Sequence, residues 1–98
     1  MQYQIVWSSK ARTTYHKILD YLDTAWTEKE IKNFIERTEE ALNHILKNPF
    51  LYPHSRRKKR IHRCVIARQV SLFYRINNQS IELLVFWDNR QDPVKLKL

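Results

Sequence analysis

The most distinctive chemistry in this chain lies in a run of five consecutive cations at residues 56–60. Guanidinium and ammonium groups in such a run bind phosphates, and each contact adds a salt-dependent increment of affinity by releasing counterions. The same charges also solvate an exposed loop and keep a protein soluble. We favour a binding role, because no acidic residue interrupts the run. The residues of this candidate surface are Arg56, Arg57, Lys58, Lys59 and Arg60, with Arg63 close behind.

Arg68, Arg75 and Arg90 lie within or at the ends of segments that are predicted to be strands. A sheet holds such side chains in place better than a loop does, so these arginines are the candidates for a catalytic role at a phosphate. Arg90 stands between Asp88 and Asp92. The alternative for Arg90 is therefore a local ion pair that fixes the end of the chain.

The histidines and the single cysteine offer little further chemistry. The histidines form no i, i+4 pair and no H-E-x-x-H arrangement, so we expect neither a metal site nor a cofactor. His54 and His62 have the side chain that transfers protons near neutral pH, but a surface position is the expectation for both. Cys64 lies in an apolar segment and is predicted to be a small core residue.

The positive charge is confined to the second half of the chain. Residues 1–49 carry seven Lys or Arg and seven Asp or Glu, whereas residues 50–98 carry eleven and three, so the net +8 lies wholly in the second half. This asymmetry predicts an anionic partner, whether nucleic acid, an acidic protein or a lipid surface. The chain has no signal-peptide pattern and no long apolar stretch, so we expect a cytoplasmic protein without a membrane partner.

Hydrophobic periodicity predicts one domain, residues 1–98, with the element order β-α-α-β-β-β. Thr27 and Glu30 form a capping box at the start of the second helix. Asn77-Asn78 suits a tight turn between the last two strands. The expected fold is α+β, with a two-helix hairpin on one face of a four-stranded, mainly antiparallel sheet. The predicted strands are 3–7, 61–68, 70–76 and 81–87, and the helices run from about 9 to 24 and from 27 to 48.

The last two strands are apolar on both faces, which is unusual for a sheet with helices on one side only. Strict alternation places Ile81, Leu83, Val85 and Trp87 on one face of the last strand and Leu84 and Phe86 on the other. One face can pack on the helices, and the other is left exposed. We therefore predict that a protein partner covers the second face.

The element order, the segment Phe73-Tyr74-Arg75-Ile76 and the closing D-x-R-x-x-P pattern at 88–93 resemble the RelE/ParE superfamily of toxins. The resemblance covers nearly the whole chain. It implies the toxin of a type II toxin-antitoxin system, neutralised in a hetero-oligomer by an acidic, amphipathic antitoxin. The residues expected to contact antitoxin or target are the basic run, Arg63, Phe73, Arg75, Trp87 and Arg90.

Two branches of this superfamily differ in what they act on. RelE-like members cut messenger RNA on the ribosome without a metal, whereas ParE-like members inhibit DNA gyrase. The ribonuclease branch usually has an arginine where this chain has Ser71 and a tyrosine or histidine near Leu96, while Arg90 matches both branches. We therefore interpret the chain as a ParE-like toxin that binds gyrase or another essential target. The alternatives are a metal-independent, ribosome-dependent endoribonuclease and a member that binds its antitoxin without being toxic.

Overall fold

The computed structural model describes residues 3–55, 58 and 60–98, and its elements follow the predicted order. The strands are β1 (Gln4–Trp7), β2 (Ile61–Ala67), β3 (Val70–Asn77) and β4 (Ser80–Asp88), and the helices are α1 (Ser9–Ala25) and α2 (Glu28–Lys47). The strands form one sheet in the order β1-β4-β3-β2. β1 runs parallel to β4 and the other two pairs are antiparallel. The predicted α+β fold is confirmed.

Both helices begin where their capping residues predict. The Ser8 hydroxyl accepts a hydrogen bond from the Ala11 amide at 2.9 Å, which satisfies one of the free N–H groups at the start of α1. At α2 the Thr27 hydroxyl accepts from the Glu30 amide, and the Glu30 carboxylate accepts from the Thr27 amide, each at 3.2 Å. The predicted capping box is confirmed. Neither helix is long and apolar enough to cross a membrane, in the residues that the structure describes.

The main hydrophobic core lies between the helices and one face of the sheet, which we call the helix face. Its largest fully buried side chains include Phe34 and Ile45 of α2, and Leu72 and Tyr74 of β3. The Tyr74 hydroxyl donates a hydrogen bond of 2.8 Å to the Pro49 carbonyl, which joins the central strand to the segment after α2. This bond satisfies a polar group that would otherwise be costly to bury.

The β3–β4 hairpin turns one residue later than predicted. Asn77 still pairs with Ser80, so the two residues of the turn are Asn78 and Gln79. Asn78 has a positive φ of 56°. Asparagine tolerates this left-handed conformation better than most residues, and the chain contains no glycine that could take the position.

A β-bulge in β4 corrects the predicted alternation of that strand. Phe73 pairs with Val85 but Tyr74 pairs with Leu83, so Leu84 is an extra residue without a partner in β3. The extra residue reverses which face the following side chains occupy. Phe86 therefore joins the helix-face core, and Val85 packs on the opposite face with Phe73. The expectation that Val85 and Trp87 share a face with Leu83 was wrong.

The opposite face of the sheet, which we call the far face, is covered in part by the end of the chain. Asp92 caps a short 3-10 turn, Pro93–Lys95, by accepting from the Val94 amide at 3.0 Å. The tail that follows places Leu96, 6% exposed, in a second apolar cluster with Ile61, Phe73 and Val85. The prediction that only a partner would cover this face therefore needs correction, because the chain's own tail buries its centre.

Leu96→Ala should lower the free energy of unfolding by about 2 kcal/mol, because the apolar contacts of a buried leucine are lost. Val94→Ala is the matched control, since the Val94 side chain is 77% exposed and its truncation removes few apolar contacts. Urea unfolding of the two variants measures the difference. Equal stabilities would show that the tail does not pack on the far face.

Candidate functional site

The far face carries two depressions, one on each side of the tail. The first is lined by Arg63 of β2, Trp87 and Asn89, with Leu96 at its border. The second is lined by Lys58, Arg60 and Arg75, with Lys97 and Leu98 at its border. We call them the arginine pocket and the cationic groove. Their volumes are about 720 and 830 Å³ respectively.

Arg63 is the centre of the arginine pocket. Its Nε donates to the Ser71 hydroxyl at 3.0 Å and its Nη2 to the Asn89 side-chain oxygen at 3.3 Å. Ser71 in turn donates to the same Asn89 oxygen at 3.0 Å. These partners are neutral, so they orient the guanidinium without neutralising its charge. A phosphate oxygen or a carboxylate is the ligand that such a group favours.

The two histidines of this region occupy different environments. His62 is only 3% exposed, so the expected surface position was wrong for this residue. Its Nδ1 lies 2.8 Å from the Tyr52 carbonyl oxygen, and its ring stacks on Tyr74. His54 is exposed, lies 4.4 Å from His62 between ring centroids, and lines the arginine pocket. His54 is therefore the one of the pair that a ligand in the arginine pocket can reach.

The cationic groove collects charges from distant parts of the chain. Lys10, at the start of α1, donates from Nζ to the Lys97 carbonyl at 2.8 Å. Lys58 donates from Nζ to a terminal oxygen of Leu98 at 2.6 Å. The floor is apolar and the rim is cationic. The floor residues are Ile61 and Leu84.

Arg75 and Arg90, both predicted as site residues, are each bound to a carboxylate. Arg75 Nε lies 2.6 Å from Glu82 Oε1 across the β3–β4 pair. Arg90 Nη2 lies 2.7 Å from Asp88, and its guanidinium carbon lies 5.0 Å from the centre of the Tyr21 ring. The local ion pair that the sequence offered as an alternative for Arg90 is therefore present, with Asp88 as its partner.

The Arg90–Asp88 pair changes the titration of the carboxylate. The hydrogen bond from Arg90 lowers the pKa of Asp88 below its ordinary value of 3.8, against the opposing effect of burial. Hydrogen bonds to Asp88 and Tyr21 raise the pKa of Arg90, so this side chain is charged at any physiological pH. It cannot serve as a proton donor or acceptor.

The predicted site residues do not converge on one place. Arg68 lies in a separate depression beside Trp26 and Arg37. Phe73 is buried beneath the tail, and Trp87 borders both the arginine pocket and a third depression that contains Arg90. Arg56, Arg57 and Lys59 lie outside the described residues.

Cys64 is fully buried, as predicted for a core residue. Burial raises the pKa of its thiol, which disfavours the nucleophilic thiolate. Burial also raises the pKa of Tyr52, to about 12, with a further contribution from its contact with Cys64. Within the described residues, no three His, Cys, Asp or Glu side chains come together as a metal site.

Several residues of the two depressions were not predicted from the sequence. Lys10 and Lys97 reach the cationic groove from the start of α1 and from the tail, 87 positions apart. Asn89 completes the arginine pocket from the end of β4. No local pattern marks these residues, because their meeting depends on the strand order and on the path of the tail.

A family profile describing the ParE toxin of type II toxin-antitoxin systems, parDE, matches residues 5–93. The chain belongs to the ParE toxin family. The matched segment includes both depressions except for the tail residues that border them. No curated protein sequence matches the chain significantly.

Three solved structures share the fold at low sequence identity. A structure titled chromosomal ParDE TA system from P. aeruginosa is 12% identical, with a TM-score of 0.74, and the match covers 88% of this chain and 95% of that chain. The YoeB/ParE toxin from Agrobacterium tumefaciens is 13% identical, with a TM-score of 0.61 and coverages of 87% and 97%. The YoeB dimer from Staphylococcus aureus is 16% identical, with a TM-score of 0.60 and coverages of 89% and 97%.

Ser71 and Leu96 are the positions where this ParE-family chain lacks the residues that the resemblance associates with ribonucleases. Ser71 is fully buried beneath Arg63, which supplies a guanidinium from the neighbouring strand. Leu96 packs into the far face and offers no group for proton transfer.

Asp88→Asn should destabilise the protein at neutral pH and have less effect in acid. The pKa of Asp88 is lower in the folded state than its ordinary value of 3.8, so the ionised carboxylate stabilises the folded protein at pH values above 3.8. This stabilisation is lost as the pH falls through the folded-state pKa. The difference in unfolding free energy between the two proteins should therefore shrink below about pH 4.

Asp20→Asn, which removes an exposed carboxylate from α1, controls for the loss of one negative charge. Urea unfolding over a series of pH values measures all three proteins. A difference for Asp88→Asn that stayed constant down to about pH 2 would show that the Arg90 bond does not stabilise the carboxylate.

Proposed function

We propose that this ParE-family chain is a toxin that acts by binding DNA gyrase, or another essential target, and that an acidic antitoxin neutralises it. The observation that carries the proposal is the pairing of Arg75 and Arg90 with carboxylates at 2.6 and 2.7 Å. Each carboxylate offsets charge that a reacting phosphate would otherwise meet, and Arg90 already donates from all three of its nitrogens, to Asp88 and Tyr21. Two of the three arginines that were candidates for catalysis are thus poorly placed for it.

The distribution of the other cations also supports action by binding. Lys10, Lys58 and Arg60 line the cationic groove around the aliphatic side chains of Ile61 and Leu84. Such a mixture of charge and apolar surface favours association with an acidic macromolecule. The excess of positive charge in the second half of the chain supports the same interpretation.

The purified chain should inhibit supercoiling of relaxed plasmid by DNA gyrase, and its expression without an antitoxin should stop growth with a DNA-damage response. An amount of polylysine carrying the same charge is the control, because any basic polymer coats DNA. Supercoiling that continues at a molar excess of the chain over gyrase would exclude gyrase as the target. Normal growth at high expression would contradict toxicity itself.

The arginine pocket favours a second candidate function, that of an endoribonuclease. Arg63 is oriented by neutral partners and keeps its charge for a phosphate. His54 is exposed at the same cavity and could exchange the proton of a 2′-hydroxyl, and Trp87 offers an aromatic surface for a base. This chemistry needs no metal.

If the chain cleaves messenger RNA, Arg63→Ala should reduce cleavage by about a hundredfold, because the phosphate loses its positioned cation. Arg12→Ala, on the exposed surface of α1, is the matched control. Mapping of messenger RNA ends after induced expression measures cleavage in cells. Intact messages, or cleavage that persists in Arg63→Ala, would rule out this pocket as a nuclease site.

A further inference from the structure

Arg68, which the sequence marked as a candidate for phosphate chemistry, lies in a depression that shares no lining residue with the two depressions of the far face. We call it the link pocket, because it lies where the connection between the helices meets the connection between β2 and β3. Trp26 ends α1, and Arg68 and Gln69 form the turn between the two strands. The volume of the link pocket is about 300 Å³, at the small end of the range for small-molecule sites.

Two arginines from different elements border the link pocket. Arg37 comes from α2 and Arg68 from the β2–β3 turn, and both residues are exposed. In the part of the chain that the structure describes, neither guanidinium has an ion pair or a hydrogen bond, whereas Arg75 and Arg90 each bind a carboxylate. Arg37 and Arg68 therefore keep their N–H donors for an anion, and the planar guanidinium group favours phosphate oxygens.

The indole of Trp26 supplies an aromatic surface at the same pocket. Part of the ring packs on the core, where it meets the Phe34 ring edge-on at 6.5 Å between centroids. Trp26 is only half-buried, so the rest of the ring is open to the link pocket. Aromatic rings bind nucleobases by stacking, and nearby cations bind the phosphates. An indole beside two uncompensated arginines therefore suits a base that carries a phosphate.

Polar side chains of α2 complete the link pocket. Glu30, Asn33 and Arg37 are spaced by three and four residues, which places them on one face of the helix. The carboxamides of Asn33 and Gln69 carry donors and acceptors of the kind that read base edges.

Glu30 sets the direction in which a ligand would lie. Its Oε1 accepts from the Thr27 amide at 3.2 Å, and within the described residues its Oε2 has no hydrogen bond. A carboxylate repels a phosphate but accepts hydrogen bonds from ribose hydroxyls. Because Glu30 and Arg37 are about 10 Å apart along the helix axis, the phosphate fits at Arg37 and the sugar toward Glu30.

We propose that the link pocket binds a nucleoside monophosphate, either free or as the phosphorylated end of a nucleic-acid strand. Arg37 and Arg68 contact the phosphate, the base stacks on Trp26, and Glu30 accepts from the ribose hydroxyls. This site goes beyond the proposed function and does not depend on it, since gyrase binding and the arginine pocket were assigned to other residues.

The test uses the full chain and adenosine monophosphate in isothermal titration calorimetry. Ribose 5-phosphate, which lacks the base, and adenosine, which lacks the phosphate, should each bind about tenfold more weakly or worse, because each loses one set of contacts. Arg37→Ala/Arg68→Ala should weaken binding of the nucleotide by about tenfold or more. Arg12→Ala/Lys47→Ala removes two exposed cations outside the link pocket and should change binding by less than about twofold.

Tryptophan fluorescence gives a second measurement. Stacking of the base should quench the emission of Trp26, and Trp26→Phe should abolish the quenching, because Trp7 and Trp87 lie outside the link pocket. Circular dichroism confirms that each variant is folded. Quenching that persisted in Trp26→Phe would place the base elsewhere and overturn the proposal.

The calorimetry has two other outcomes that would overturn the proposal. One is equal binding of adenosine monophosphate by the two double variants, and the other is binding of ribose 5-phosphate as tight as that of the nucleotide. A 5′-phosphorylated oligoadenylate distinguishes the two sources of the ligand. Tighter binding than the free nucleotide, lost in Arg37→Ala/Arg68→Ala, would support the site with a strand end as its ligand, whereas weaker binding would support it with the free nucleotide.

Discussion

A single serine side chain ties the first helix to the irregular point of the sheet. Ser8 accepts from the Ala11 amide at 2.9 Å as the helix cap and donates to the Leu84 carbonyl at 3.1 Å. The first bond fixes where α1 begins, and the second satisfies a carbonyl at the bulge, where the regular pairing of β3 and β4 is interrupted. The bulge sets which face of the sheet the residues after it occupy. The Ser8 bond lies at this bulge, after which Val85 faces away from the helices and Phe86 faces them.

The reversal at the bulge gives the far face an apolar centre that the chain has to cover. Val85 joins Phe73 and Ile61 there, and Leu96 of the tail buries them. The path that the tail takes to reach this cluster also divides the far face into two depressions with different chemistry. On one side Arg63 is held by neutral hydrogen bonds, and on the other lysines surround an aliphatic floor. The two candidate sites thus share one structural origin in the packing of β4.

Local signals in the sequence were sufficient to predict the helices and strands, but not to predict which face of the sheet each strand residue occupies. The Thr27 capping box and the period of the helices act within one or two turns of chain, so the helices could be predicted closely. The segment 81–87 is apolar at nearly every position, and a pattern that fits both faces cannot reveal a one-residue shift such as that at Leu84. His62 was misplaced for a related reason. Its burial depends on the Tyr52 carbonyl and the Tyr74 ring, which reach it from other segments.

The net charge of the sequence does not show which arginines are paired with a carboxylate in the structure. Arg75 and Arg90 count toward the net +8 in the same way as Arg63, yet each forms an ion pair with a carboxylate. The Arg90–Asp88 pair was foreseeable because its members are two residues apart. The Arg75–Glu82 pair depends on strand register, and the neutral partners of Arg63 come from two other parts of the sheet. A ligand approaching Arg90 has to compete with Asp88, whereas one approaching Arg63 meets an oriented and uncompensated cation. Strand register, more than the number of arginines, therefore decides which of these three guanidinium groups an anionic partner meets without a competing carboxylate.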